Sequence, residues 1–496
     1  MLSDDILYLP IREMGERIRS RQLSPVELAE SYLERSEKLG PKYNAYVTIT
    51  RDLALRQAKA AEQEIAAGHY RGPLHGIPYA VKDLVAVKGY PTTWGARPLA
   101  KQSFDYDATV IERLNQAGAV LIGKAAMIEL AGGLGYSGPD ASLTGPCKNP
   151  WNTDYWTCGS SSGPGAVVSA ALAPWAIGSD TRGSIICPSA WCGISGMRPS
   201  FGRVSRHGAM AIAYSMDKLG PMARTADDCG LALSVMAGHD PADYDSLPAG
   251  LAEFRYGGAQ QTGGPMRIGR LTNAFTRISP EQEASVEAAL KILEQQGAKI
   301  TDVKIPDGPY EEAAELTILM EATTAYEDLI SSGRCAQLED PLGQINGYAS
   351  LEFSAADYLR VQRVRTFLQE QVDKVLRTVD VVATAGESGA ASPLRENQQQ
   401  RRARPATPPT APRTATPAAR PATPPAARRS TPQPDGVSSL CGLPALTVPC
   451  GFTKNKLPYG IQFMARALGD GAVIAAARAF QSRTDWHKQR PPVPAS

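Results

Sequence analysis

Three stretches of this chain carry side chains whose types and spacing suit acyl chemistry. In Gly178-Ser179-Asp180-Thr181-Arg182-Gly183-Ser184-Ile185, a glycine-flanked serine at a tight turn can present its hydroxyl to a ligand. Successive backbone N–H groups in such a turn can hold an anion. In Cys158-Gly159-Ser160-Ser161-Ser162-Gly163-Pro164-Gly165, a second serine loop feeds an alanine-rich stretch, Ala166–Ala173. Pro164 suits the first turn of a helix. A loop feeding a helix N-terminus can bind phosphate, but GxxxxGK[ST] and GxGxxG are both missing, which disfavours a nucleotide loop. The third stretch is Leu74-His75-Gly76-Ile77-Pro78-Tyr79-Ala80-Val81-Lys82-Asp83, an apolar strand closed by a lysine. Lys82 reads either as a solvated strand end or as a desolvated amine whose neutral form is a base. Singly, each stretch also has a plain reading: Ser184 as a loop hydroxyl, Ser160 as a helix N-cap, Lys82 as a solvated charge.

The remaining composition narrows the chemistry. Only five histidines occur, His69, His75, His207, His239 and His487, and none has HxxxH or HExxH spacing. Hydrolysis must then find its base mainly among other residues, and no metal or cofactor is expected. None of the eight cysteines falls in a CxxC pair, which disfavours zinc sites and a disulfide framework. Buried free thiols in a reducing compartment are expected instead. Lys+Arg total 52 against Asp+Glu 50, a formal net charge of +2. That balance gives no reason to expect direct nucleic-acid or membrane contact. The polar start of the chain lacks a signal-peptide core. The longest apolar run, Ala166–Gly178, is too short to cross a bilayer and contains Pro174. A cytoplasmic protein is expected.

The elements around these loops read as follows. Residues 1–70 are expected to be helical, with a start signal at Ser24-Pro25-Val26-Glu27 and a second helix near 50–68. Residues 71–240 alternate short apolar runs with helical segments, which predicts α/β organisation. Residues 241–392 carry a strand near Met266–Leu271, helices near 279–296, 309–332 and 353–378, and a buried strand at Val379–Thr384. Residues 393–434 are almost wholly Arg, Pro, Ala, Thr and Gln and predict a disordered or extended segment. It reads as a non-folding insertion, a basic tether or the product of a reading-frame error. Folded texture returns over 435–496, with Leu443–Val448 as a strand and Ala472–Ser482 as a helix. The fold class is α/β, a single large domain with a central twisted mixed β-sheet covered by helices on both faces.

Together the three stretches resemble the amidase signature family. Gly76–Asp83 matches its GIPxxVKD motif, the loop 158–163 its GGSSGG, and Gly178–Ile185 its GSDTGGSI. Cys192-Gly193-Ile194-Ser195-Gly196-Met197-Arg198-Pro199, Asp107-Ala108-Thr109 and Gly123-Lys124 match further framework positions. The resemblance covers roughly residues 10–240 and resumes around 437–485. It implies an amidohydrolase with a Ser-Ser-Lys triad. Ser184 is then the nucleophile, Ser160 the hydroxyl that relays the proton, after a cis Gly-Ser peptide, and neutral Lys82 the base. The N–H groups of Thr181, Arg182, Gly183 and Ser184 form the oxyanion hole, and an acyl-enzyme forms on Ser184. Arg182 and Ser161 are candidate substrate-binding residues.

The chain also departs from the family pattern. Arg182 stands where the family has glycine, where it either meets a carboxylate or carbonyl of the substrate or points to solvent. Ile186 replaces an arginine, and Cys158 replaces a loop glycine that a packed side chain can substitute. Ser438-Ser439-Leu440-Cys441-Gly442-Leu443-Pro444 takes the place of Asn-x-x-Gly-x-Pro. Three functions follow: a stand-alone amidase acting on a small-molecule amide, anilide, carbamate or ester; the glutaminase component of a tRNA-dependent amidotransferase; and a non-catalytic binding protein. Phe201–Gly208 and Ser215–Pro221 are very like the glutaminase component, whereas Arg182 and the altered C-terminal wall argue mildly against it. A homodimer is compatible with the first function, and the second requires partner subunits.

Overall fold

In the computed structural model, residues 2–257, 264–274, 278–395 and 432–493 are described. The start signal at Ser24 acts as its chemistry dictates. The Glu27 N–H donates to Ser24 Oγ at 3.1 Å, Pro25 takes the first helical position, and the helix runs Pro25–Tyr43. It stops at Asn44, which adopts the left-handed conformation. The second helix, Arg51–Ala66, and those at Pro280–Gln295, Tyr310–Ala325, Ala355–Leu376 and Asp470–Gln481 fall where apolar spacing predicts them.

Thirteen strands form among the described residues, in chain order β1 (Tyr46–Ile49), β2 (Pro78–Lys82), β3 (Val120–Ala125), β4 (Lys148–Asn149), β5 (Asn152–Trp156), β6 (Trp175–Asp180) and β7 (Ser195–Arg198). Then come β8 (Lys218–Ala223), β9 (Arg267–Leu271), β10 (Lys299–Val303), β11 (Val381–Ala385), β12 (Ala445–Phe452) and β13 (Pro458–Met464). Eleven of them build one mixed sheet, in the order β1-β3-β2-β6-β8-β7-β12-β13-β11-β9-β10, while β4 and β5 pair separately. Every residue of β2, β3, β6, β8 and β11 is buried. Successive strand side chains point to opposite faces, so both faces of the sheet centre are covered. The single large α/β domain with helices flanking the sheet is the fold class that the sequence predicts.

This topology positions the chemistry. β3, β2 and β6 run parallel, so their carboxyl ends open on one side of the sheet, the place where open α/β sheets hold ligands. The β2–β6 register pairs Val81 with Ile177, which brings Lys82 level with the start of the Gly178–Ile185 loop. Helix Ser162–Ser169 seats the other serine loop against the end of β3, where Gly163 N–H donates to Ala126 O at 2.9 Å. No helix among the described residues is long and apolar enough to cross a membrane.

One expectation is corrected here. Cys158 and Cys187 are joined by a disulfide, with Cα atoms 6.0 Å apart; the other six cysteines are free. Neither cysteine lies in a spacing motif, and tertiary folding alone brings the serine loop beside helix Ile186–Cys192. Of the low-complexity stretch 393–434, only the two ends are described. Pro434 opens helix Pro434–Leu440, where a proline suits the first turn, and Pro393 forms a bridge to Tyr155. Residues 396–431 of that stretch lie outside the described residues.

A β-carbon on Gly163 would sit 2.4 Å from Ala126 N and 2.6 Å from Ala45 O. Because both neighbours are backbone, Gly163→Ala is expected to destabilise the fold by about 1–3 kcal/mol, read as a lowered thermal midpoint; an unchanged midpoint contradicts this packing.

Candidate active site

Lys82 ends β2 with its side chain fully buried. Its Nζ lies 2.7 Å from Ser160 Oγ and 2.9 Å from Ser179 Oγ. Among the described residues it forms no ion pair. Burial pushes the amine down to about 7, against the opposing pull of Asp180 and Asp217. The solvated reading of Lys82 is thereby excluded: the amine is enclosed, and it titrates near neutrality.

Ser160 follows a cis Gly159–Ser160 peptide bond and is almost fully buried. Ser161 N–H donates to Ser184 O at 3.3 Å, which fastens the two serine loops together. Ser184 is only partly buried. It lines a cavity of about 440 Å³ with Gly159, Thr181, Arg182, Tyr136 and Glu315. The structure thus brings the loops of Ser160 and Ser184 together beside Lys82, with Lys82 and Ser160 buried and Ser184 lining the cavity. Ser184 Oγ has no hydrogen-bond partner among the described residues, which leaves it available to a ligand.

Ser161, a candidate for substrate binding, is instead fully buried. Its Oγ donates to Ser179 O at 3.1 Å and accepts the Ser179 N–H at 3.3 Å. It ties the loop to β6 and does not face the cavity.

The Gly178–Ile185 loop is organised by the Asp180 carboxylate. Oδ1 accepts the Gly183 N–H at 2.8 Å, and Oδ2 accepts the Ile185 N–H at 2.8 Å. Arg198 Nη1 donates to Oδ1 at 3.1 Å. Burial, the largest effect, pushes the Asp180 carboxyl up, but Arg198, Lys218 and the loop hydrogen bonds together hold it below its usual range. One expected oxyanion donor is corrected by this: the Gly183 N–H already serves Asp180. The N–H groups of Thr181, Arg182 and Ser184 carry no such loop bond among the described residues. Thr181 is steered by its hydroxyl, which donates to Asp217 Oδ1 at 2.6 Å. Gly183 itself has φ +83, and a β-carbon there would approach Asp435 Oδ2 to 2.7 Å, so glycine is required twice over.

Arg182 does not point to empty solvent. Its Nη1 donates to Glu315 at 2.7 Å and to Glu311 at 3.2 Å on the cavity wall. Ile186, fully buried, packs in an apolar cluster with Tyr310, Val437 and Leu440. The C-terminal wall forms without its usual motif, because Arg198 donates to Ser439 Oγ at 2.9 Å and also to Ser438 Oγ.

Ser179, Asp180, Asp217 and Asp435 complete the site beyond the residues that the sequence singles out. Ser179 and Asp180 stand inside the quoted motif, so their type and place are visible there. Asp217 stands inside the Ser215–Pro221 stretch noted for its resemblance, but its place beside the loop is not visible there; Asp435 carries no signal, because folding alone brings it near the loop.

Asp180 and Arg198 form a buried pair, both fully enclosed. Asp180→Ala leaves Arg198 only the more distant Asp435 carboxylate, at 4.0 Å, and is expected to cost about 3–5 kcal/mol. Asp180→Ala combined with Arg198→Met is expected to recover much of that loss in denaturant unfolding, and equal losses in single and double variants contradict the pairing.

Known proteins resemble the chain along nearly its whole length. The sequence model of the family described as Amidase matches residues 27–474. The glutamyl-tRNA(Gln) amidotransferase A-subunit of Carboxydothermus hydrogenoformans is 32% identical, over 98% of this chain and 99% of that one. Its counterpart in Chloroflexus aggregans is 34% identical over 98% and 99%. Among solved structures, the peptide amidase from Stenotrophomonas maltophilia superimposes with a TM-score of 0.78 at 27% identity, covering 98% of each chain. The glutamyl-tRNA(Gln) amidotransferase A-subunit of Thermotoga maritima gives 0.76 at 25% identity, covering 100% of each.

Proposed function

The chain belongs to the amidase family and is an amidohydrolase, and from that premise we propose that it cleaves the C–N bond of an amide through Ser184, Ser160 and Lys82. The observation that carries this reading is the enclosed Lys82 amine, 2.7 Å from Ser160 Oγ and without an ion pair among the described residues. A neutral amine there accepts the Ser160 proton, while Ser160 Oγ takes the proton of Ser184 as Ser184 Oγ attacks the carbonyl carbon. The negative charge that develops on the carbonyl oxygen meets the loop N–H groups of Thr181, Arg182 and Ser184, each good donor contributing about 3–4 kcal/mol. The proton then returns from Lys82 through Ser160 to the leaving nitrogen. An acyl group remains on Ser184 until water, or another nucleophile, removes it by the reverse relay.

The full-length match to glutamyl-tRNA(Gln) amidotransferase chains supports a finer reading. In it the amide is that of glutamine, ammonia is the product, and further subunits join the chain. The higher identity to these chains, 32% and 34% against 27% to the peptide amidase, favours this over a stand-alone enzyme. The likeness to a peptide amidase and the paired Arg182–Glu315 wall support the stand-alone amidase as the second reading. A purely binding role has no support in the arrangement, because it leaves a buried amine without an ion pair unused.

Lys82→Ala, Ser160→Ala and Ser184→Ala are each expected to lower amide hydrolysis at least about 10²-fold with the thermal midpoint retained. Full activity in any of them contradicts the relay. Lys82 works as the uncharged base, so kcat/KM is expected to rise with pH below about 7 and level off above it; a flat profile opposes the assignment. Ammonia release from glutamine that appears only when partner subunits are supplied supports the finer reading, and unaided hydrolysis of an aryl amide supports the second.

A further inference from the structure

Cys158 directly precedes Gly159-Ser160, and Cys187 follows Ser184 by three positions. Their disulfide therefore joins the two serine loops by a covalent route separate from the sheet. The two ends of this link are not equally firm. Cys187 lies in helix Ile186–Cys192, its N–H donates to Gly183 O at 2.9 Å, and the helix start is held by Asp180 through Ile185 N–H at 2.8 Å. Cys158 instead has φ +68, a conformation that glycine takes freely and a residue with a β-carbon resists. Left to its backbone preference, this position would relax away from the geometry it holds. Both cysteines are about nine-tenths buried, in an apolar cluster with Ile128, Trp156, Ala190 and Trp191. Beyond the disulfide, Cys158 Sγ has its polar contact with the carbonyl of the next residue, Gly159, at 3.8 Å, which does not tie the loop to another element.

We propose that the Cys158–Cys187 disulfide positions Ser160 against Ser184, so that the rate of acyl transfer depends on whether this bond is formed. The inference rests on the serine assignment made above. A phosphine reductant supplies two electrons; the S–S bond breaks, two thiols form with two protons from water, and the phosphine takes up the oxygen. Unbonded sulfurs must separate to van der Waals contact. Because Asp180 fixes the helix, the displacement falls on Cys158 and Gly159 and through them on Ser160, whose carbonyl accepts the Ile128 N–H at 3.2 Å and whose hydroxyl carries the proton from Ser184 to Lys82 in the proposed relay. The two cysteines act through Ser160 and touch no substrate.

The test uses the full chain and an alkyl fluorophosphonate, whose phosphorus bonds to a reactive serine oxygen as fluoride leaves. Labelling of Ser184 is followed before and after treatment with the phosphine, with free thiols counted in the unfolded protein. The count is expected to rise from six to eight. The limiting labelling rate is expected to fall about tenfold or more, with the half-saturating probe concentration unchanged. Cys158→Ser/Cys187→Ser is expected to label at the reduced rate and to ignore the reductant. An unchanged limiting rate at eight thiols overturns the proposal, even if the thermal midpoint drops, since that outcome describes a merely structural bond. Eight thiols before reduction overturn it as well. Absence of Ser184 labelling in both states contradicts the serine assignment itself and removes this inference with it.

Discussion

An amine enclosed without a carboxylate partner is the constraint on which the site depends. Placing a lysine in the interior is costly because its charged form loses solvation. The usual remedy is an ion pair, and the chain uses that remedy for Lys124, which meets Asp83 at 3.0 Å. Lys82 lies in the same buried layer and receives two hydroxyls instead. Asp180 and Asp217 are near enough to oppose the effect of burial, yet each carboxylate is engaged elsewhere, by Arg198 and by Thr181. The amine is left to titrate around neutrality, where a group can both take and return a proton.

The same economy governs the loop above it. Asp180 gathers Gly183, Ile185 and Arg198, so one carboxylate sets the turn that exposes Ser184 and anchors the helix that follows. Arg198 extends this network to Ser438 and Ser439, and through them helix Pro434–Leu440 closes over the loop. The unusual C-terminal segment therefore builds a wall by different side chains around the same guanidinium. Ile186 fits this picture, as its apolar contacts with Val437 and Leu440 take the place of a charged neighbour.

The catalytic candidates were legible because they sit in short, dense motifs: Lys82 at the end of an apolar run, and Ser160 and Ser184 in glycine-rich turns. The helices beginning at Pro25, Pro280 and Ala355 were legible for local reasons, namely capping residues and apolar spacing. What escaped was set by contacts distant in sequence. The Gly183 N–H looks free in the motif, and only folding shows that Asp180 already accepts it. Ser161 looks as available as Ser160, yet the register beside β6 turns its hydroxyl to the Ser179 backbone. The Cys158–Cys187 bond joins residues 29 apart, a separation that carries no pattern. Short strands such as β7 and β8 went unread because their residues lack alternation, being buried on both faces.

The most direct measurement of the central claim is identification of the serine that reacts with a fluorophosphonate, by peptide mass spectrometry, with the labelling rate followed from acid to mildly alkaline pH. The relay requires the label on Ser184 alone, with a rate that climbs as the Lys82 amine loses its proton near pH 7. A label on any other serine, or a rate indifferent to pH across that range, contradicts it.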